Sequence, residues 1–224
     1  MWMWLLLATA GADSALEKAQ ALEASGDDVG AVAVLERAVT ADPSWAMARL
    51  ELGRLQLKLG QRTDAAEVHL DVARSLAPEN PRAHYLFALA ADEQGQRRAA
   101  RAALEVALAL RDDYADARYR LAGLLYADGD YARAADAYRA YVATHPEATG
   151  ARLQLAASLE RSGRAPAAEQ ELRSLLAVEA SRALAGRRLV ELLEREGKGA
   201  EAAKVRASLE PPKRQLRALK PSRR

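Results

Sequence analysis

Six glycines set the frame of this chain: Gly26, Gly60, Gly95, Gly129, Gly163 and Gly197 stand 34, 35, 34, 34 and 34 residues apart. A rhythm kept through six copies restricts the fold to a row of like units, because each copy must reproduce the same local geometry. A second series, Ala31, Ala66, Ala100, Ala134, Ala168 and Ala202, keeps step with the first. It supplies a small residue where two helices cross closely. The clearest copy is residues 115–148. Its first half sets Tyr119, Leu121, Ala122, Leu125 and Tyr126 at helical spacing, and Gly129 then ends the helix. Asp130 can cap a second helix carrying Tyr131, Ala134, Ala135, Tyr138, Tyr141 and Val142, which Pro146 forbids to continue. Each unit is a helical hairpin that needs like neighbours to cover its apolar stripes, so the fold class is all-α.

The copies divide as 12–45, 46–80, 81–114, 115–148, 149–182 and 183–210. The one extra residue falls in the turn Gly60-Gln61-Arg62-Thr63, because Ala66, Leu70, Ala73 and Pro78 keep the spacing of Ala31, Leu35, Ala38 and Pro43. A loop absorbs an insertion easily. Asp112 stands where other copies carry the closing proline, Asp113 can cap the helix after it, and Pro166 marks a helix start. Both ends are more polar than the middle. Lys18 replaces the Leu52, Phe87, Leu121, Leu155 and Leu189 of later copies, and Arg206 stands where sibling units have Leu or Tyr. Such substitutions suit the water-facing ends of an array.

The 34-residue period, the small residues and the closing prolines resemble the tetratricopeptide repeat, which implies a right-handed α-solenoid of about six hairpins. The resemblance further implies that first helices line a concave groove, with the second, fifth, sixth, ninth, twelfth and thirteenth positions of each unit turned into it. Carried over by register, the groove receives Leu50, Glu51, Arg54, Leu57 and Lys58, then Arg82, Tyr85, Leu86, Leu89, Asp92 and Glu93. It continues with Asp116, Tyr119, Arg120, Gly123 and Tyr126, and with Leu153, Gln154, Glu160 and Arg161. The residues expected to carry binding are Glu51, Arg54, Lys58, Tyr85, Leu89, Asp92, Tyr119, Arg120, Tyr126, Gln154 and Arg161. Tyrosine and arginine in one stripe are the residue types of interface hot spots. The competing expectation is that Tyr85, Tyr119 and Tyr126 only pack between hairpins.

Catalytic patterns are missing: there is no G-x-S-x-G elbow, no phosphate-binding glycine loop and no H-E-x-x-H. His69, His84 and His145 fall at different repeat positions, and the chain has no cysteine. No enzyme activity, metal or cofactor is expected. The expected function is a protein-interaction adaptor that holds a partner peptide or helix, with no small-molecule substrate. A chaperone-type carboxylate clamp would need groove asparagines, and Asn80 is the only asparagine.

Charge argues against nucleic acid. Residues 211–224 hold six Lys/Arg and no acid, which leaves 27 basic against 31 acidic residues elsewhere. A slightly acidic array does not suit a phosphate backbone. The basic tail keeps open a peripheral membrane or nucleic-acid contact, and self-association is a further alternative. Residues 1–11 are apolar and too few to span a bilayer. They read as a secretory signal core lacking its basic start, as a short membrane-associated anchor, or as a helix against the first repeat. The first reading is favoured, and with it an exported or envelope location over a cytoplasmic one.

Overall fold

A computed structural model of the chain describes residues 14–60 and 63–210. The two apolar and basic end segments, and the insertion at Gln61-Arg62, lie outside these residues. The chain divides into two compact units between Ala117 and Arg118. The first contains α1 (14–24), α2 (Asp28–Ala41), α3 (Ala46–Leu59), α4 (Thr63–Leu76), α5 (Pro81–Glu93) and α6 (Arg97–Leu110). Helix α7 (Ala115–Ala127) carries the division. The second unit continues with α8 (Tyr131–Thr144), α9 (Thr149–Arg161), α10 (Ala165–Leu175), α11 (Glu179–Arg195) and α12 (Gly199–Leu209). No strand occurs among the described residues.

The glycine rhythm is a rhythm of left-handed turns. All six glycines have φ between 61° and 86°, a region where a Cβ would crowd the following carbonyl. In five of the turns the residue after the glycine donates its N–H to the carbonyl five residues back, as Asp130 does to Leu125 at 2.9 Å and Lys198 to Leu193 at 2.8 Å. Those bonds satisfy carbonyls that a helix end would otherwise leave open. The next helix starts at once. Asp130 accepts from the Arg133 N–H and Asp27 from the Gly30 N–H, so both act as caps. Pro43, Pro78 and Pro146 each follow a helix that ends two residues earlier, at Ala41, Leu76 and Thr144.

One boundary departs from the register. Helix α10 stops at Leu175 and α11 begins at Glu179, ahead of Ala183, where the sixth copy starts by spacing. Ala180 stands where a closing proline would be, so nothing delays the next helix. Ser181 makes the early start workable: its buried hydroxyl donates to the Leu175 carbonyl at 3.0 Å. Helix α7 starts at Ala115, where the fourth copy begins by spacing, so Tyr114 and not Asp113 stands directly before it.

Alanine and leucine build the interior of both units. Ala31, Leu35, Ala48, Leu52 and Leu55 pack together in the first, with Leu16, Leu22 and Trp45 at the edge. In the second, Leu155, Leu159, Leu172, Leu189 and Leu193 surround Ala156, Ala168 and Ala185. Lys18 and Arg206, the two polar departures at the ends, are exposed.

Candidate functional site: the first-helix faces

In the first unit the charged groove positions are engaged with one another. Arg54 on α3 donates to Glu51 at 2.6 Å and reaches Glu23 on α1 at 2.5 Å and 3.0 Å. Lys58 reaches Glu23 at 3.1 Å and Asp28 at 2.8 Å, and Arg82 on α5 donates to Glu51 at 2.5 Å. The result is a continuous chain of alternating charge, Lys58–Glu23–Arg54–Glu51–Arg82, across three hairpins. The side chains of Glu51 and Arg54 are only 14% and 24% exposed. The register found four of these five residues; it omitted Glu23, the twelfth of its copy, although Glu23 and Arg54 stand at groove positions in adjacent units.

The Arg54 bond, and then the Lys58 bond, hold the Glu23 carboxyl down at about 2 against an ordinary 4.5. A carboxylate depressed in the folded state adds stability above its unfolded value, and that stability is lost as pH falls through the folded value. We expect thermal stability to fall between about pH 4.5 and pH 2 in a step that Glu23→Gln shrinks. Melting followed by circular dichroism across that range checks this. Equal pH dependence in both proteins would contradict it.

The remaining first-unit positions are quieter. Tyr85 lies with its ring 4.9 Å from that of Tyr114, and the Arg111 guanidinium covers Tyr114 at 3.5 Å. Leu89 and Asp92 are half-buried. Leu50 and Leu86, assigned to the groove by register, are buried, as is Leu153 in the second unit. Leu50 and Leu153 share the fifth position and Leu86 holds the sixth; in each case the aliphatic side chain goes into the packing between helices.

The second unit concentrates aromatic rings. Tyr119 on α7 meets Tyr138 edge-on at 5.7 Å and lies 5.1 Å from Tyr141 on α8, yet remains 37% exposed. His145 stacks flat on Tyr141 at 4.5 Å. Tyr126 meets Tyr131 edge-on at 5.1 Å, and Arg161 of α9 stands over Tyr131 at 5.2 Å. The rings pack against one another, and Tyr119 keeps exposed surface. Arg120 and Gln154 are exposed. Tyr138 lies in the interior of its hairpin, 4% exposed. Burial, and then the nearby Tyr119 and Tyr126, push its hydroxyl up to about 12.

Elsewhere the histidines serve structure. The His84 ring is buried against the Pro78 carbonyl at 2.8 Å, and His69 lies 3.4 Å from Arg49. Among the described residues no group of three His, Cys, Asp or Glu could hold a metal, and no helix is long and apolar enough to cross a membrane.

Consecutive helical hairpins with left-handed glycine turns and interacting first-helix faces define an all-α protein of the right-handed α-solenoid class, a class of protein-interaction scaffolds. Models of the tetratricopeptide repeat match residues 12–55, 85–149 and 125–187. The chain belongs to the tetratricopeptide repeat family.

Solved structures agree on the fold. The MamA protein is 24% identical with a TM-score of 0.68, over 76% of this chain and 93% of that one. YrrB, described as a TPR protein with an unusual peptide-binding site, is 17% identical with a TM-score of 0.70, over 76% and 88%. A tetratricopeptide repeat protein from Parabacteroides merdae ATCC 43184 is 20% identical with a TM-score of 0.67, over 89% and 80%. No curated protein matches the chain.

Proposed function

We propose that this protein is a non-enzymatic adaptor that holds a peptide segment or helix of another protein against its first helices. The observation that carries the reading is α7. Tyr119 and Arg120 are exposed there, and Arg120 has no partner among the described residues, whereas Arg54 and Lys58 of the first unit are tied into ion pairs. An exposed aromatic beside an unpaired guanidinium is the pairing that hot spots use. The likeness to YrrB, itself described as peptide-binding, supports the same reading. The second unit's contact residues are then Tyr119, Arg120, Tyr126, Gln154 and Arg161, while Glu51, Arg54, Lys58, Tyr85, Leu89 and Asp92 serve the first.

Replacing Tyr119, Arg120 and Tyr126 together by alanine is expected to leave the helical circular dichroism nearly unchanged and to abolish recovery of the crosslinked partner. Undiminished recovery by a folded triple variant would sink the assignment. Truncation after Glu210 separates this reading from one in which the basic tail does the binding, since only the latter predicts a loss.

A further inference from the structure

The ninth position of each unit carries a side chain in every copy but one: Gln20, Arg54, Leu89, Ala157 and Glu191, against Gly123 on α7. Glycine costs a helix stability, so its presence in mid-helix leaves a gap that other copies fill. A Cβ built at Gly123 meets a single neighbour, the hydroxyl of Tyr138, at 3.6 Å. Tyr119 lies one turn before Gly123 and Tyr126 one turn after, on the same stripe of the helix. Both are near enough to Tyr138 to oppose its ionisation. The gap therefore has a phenol floor and a phenol on either side, all neutral hydrogen-bond donors near neutral pH.

Basic groups outnumber acids at the groove positions of this unit: Arg120, Arg161, Arg187, Arg188 and Arg195 against Glu160, Glu191 and Glu194. Arg120 sits three residues before Gly123, hence beside it on the helix surface, and has no partner among the described residues. Arg187 on α11 is equally unpaired. Of the carboxylates at groove positions of this unit, Glu160 is bonded to Arg195 and Glu194 to Arg206, which leaves Glu191. Phenol hydroxyls with a guanidinium beside them form a donor set for a carboxylate and repel an ammonium.

We propose that the second unit binds an acidic peptide segment and seats one of its Asp or Glu carboxylates in the gap over Gly123. This rests on the adaptor reading and names the partner's chemistry. The Tyr138 hydroxyl forms the floor contact, and Arg120 supplies the charge.

The test selects binders from a random-peptide phage library on the full chain and measures the selected peptides by fluorescence anisotropy. Selected sequences are expected to be enriched in Asp and Glu over the input library. Gly123→Leu, a strong helix former whose Cβ would stand 3.6 Å from the Tyr138 hydroxyl and whose branches would occupy the gap, should weaken binding by about tenfold or more with the melting temperature held. Arg120→Glu should do the same and keeps the proposal testable should the leucine disturb α7. Sequences without acidic enrichment, or binding indifferent to both variants, overturn it. Neutral peptides lost on Tyr119→Ala with Tyr126→Ala would overturn the acidic occupant and leave the adaptor reading standing. Peptides indifferent to every one of these variants, or a library yielding none, would remove both.

Discussion

Gly53→Val is expected to destabilise the first unit by about 3 kcal/mol, the upper end of what overpacking costs in a close-packed interior. Gly53 lies buried in α3 where α4 crosses it. A Cβ there would stand 2.5 Å from Leu70 Cγ, 2.9 Å from Leu70 Cδ2 and 3.1 Å from the Ala66 carbonyl oxygen. Leu70 is wholly buried and the Ala66 carbonyl belongs to the helix backbone, so neither can retreat without moving α4. Chemical denaturation with an unchanged slope would read the loss as a shift of midpoint. Gly150→Ala on α9 is the control: nothing lies within 4 Å of a Cβ there, so that change should raise stability by about 0.5–1 kcal/mol. A valine at 53 tolerated as well as an alanine at 150 would contradict the crossing described.

Gln56→Leu is expected to stabilise the same unit by about 2 kcal/mol. Gln56 is 2% exposed, and both its amide nitrogen and its amide oxygen are buried without a hydrogen-bond partner. A buried polar group left unsatisfied costs about 1–3 kcal/mol each time, and removing it in favour of an apolar side chain of similar size recovers much of that. The same position in other copies carries Leu22, Ala91, Leu125, Leu159 and Leu193. Leucine is thus the side chain this site normally accommodates. A variant no more stable than the parent would mean that Gln56 has found a partner, such as an enclosed water.

The repeat made much of the fold legible. The six left-handed turns follow from the glycines alone, and the ends of α2, α4 and α8 from the prolines two residues on. The start of α11 was not legible, because no proline or glycine marks it and the deciding contact is a serine hydroxyl on a distant carbonyl. The crossing at Gly53 could have been read: its register mates are Ala19, Ala88, Ala122, Ala156 and Val190, small in every copy but the last. Candidate site positions were legible as positions only. That Arg54 and Lys58 are tied up while Arg120 is free depends on which acid stands one unit away. Likewise Leu50 and Leu153 share a position with Tyr85 and Tyr119, but both leucines are buried while Tyr119 stays 37% exposed.

Closing each turn with main-chain bonds and one glycine frees the adjoining side chain for other work: Asp27 and Asp130 cap the next helix, while Gln96, Arg164 and Lys198 reach back to Glu67, Asp136 and Glu169 of the preceding hairpin. Asp27, Gln96, Asp130, Arg164 and Lys198 occupy the same corner in successive copies, and they differ in charge and size. A dye or an affinity handle attached at one of these corners would therefore remove a helix cap or a contact between consecutive hairpins.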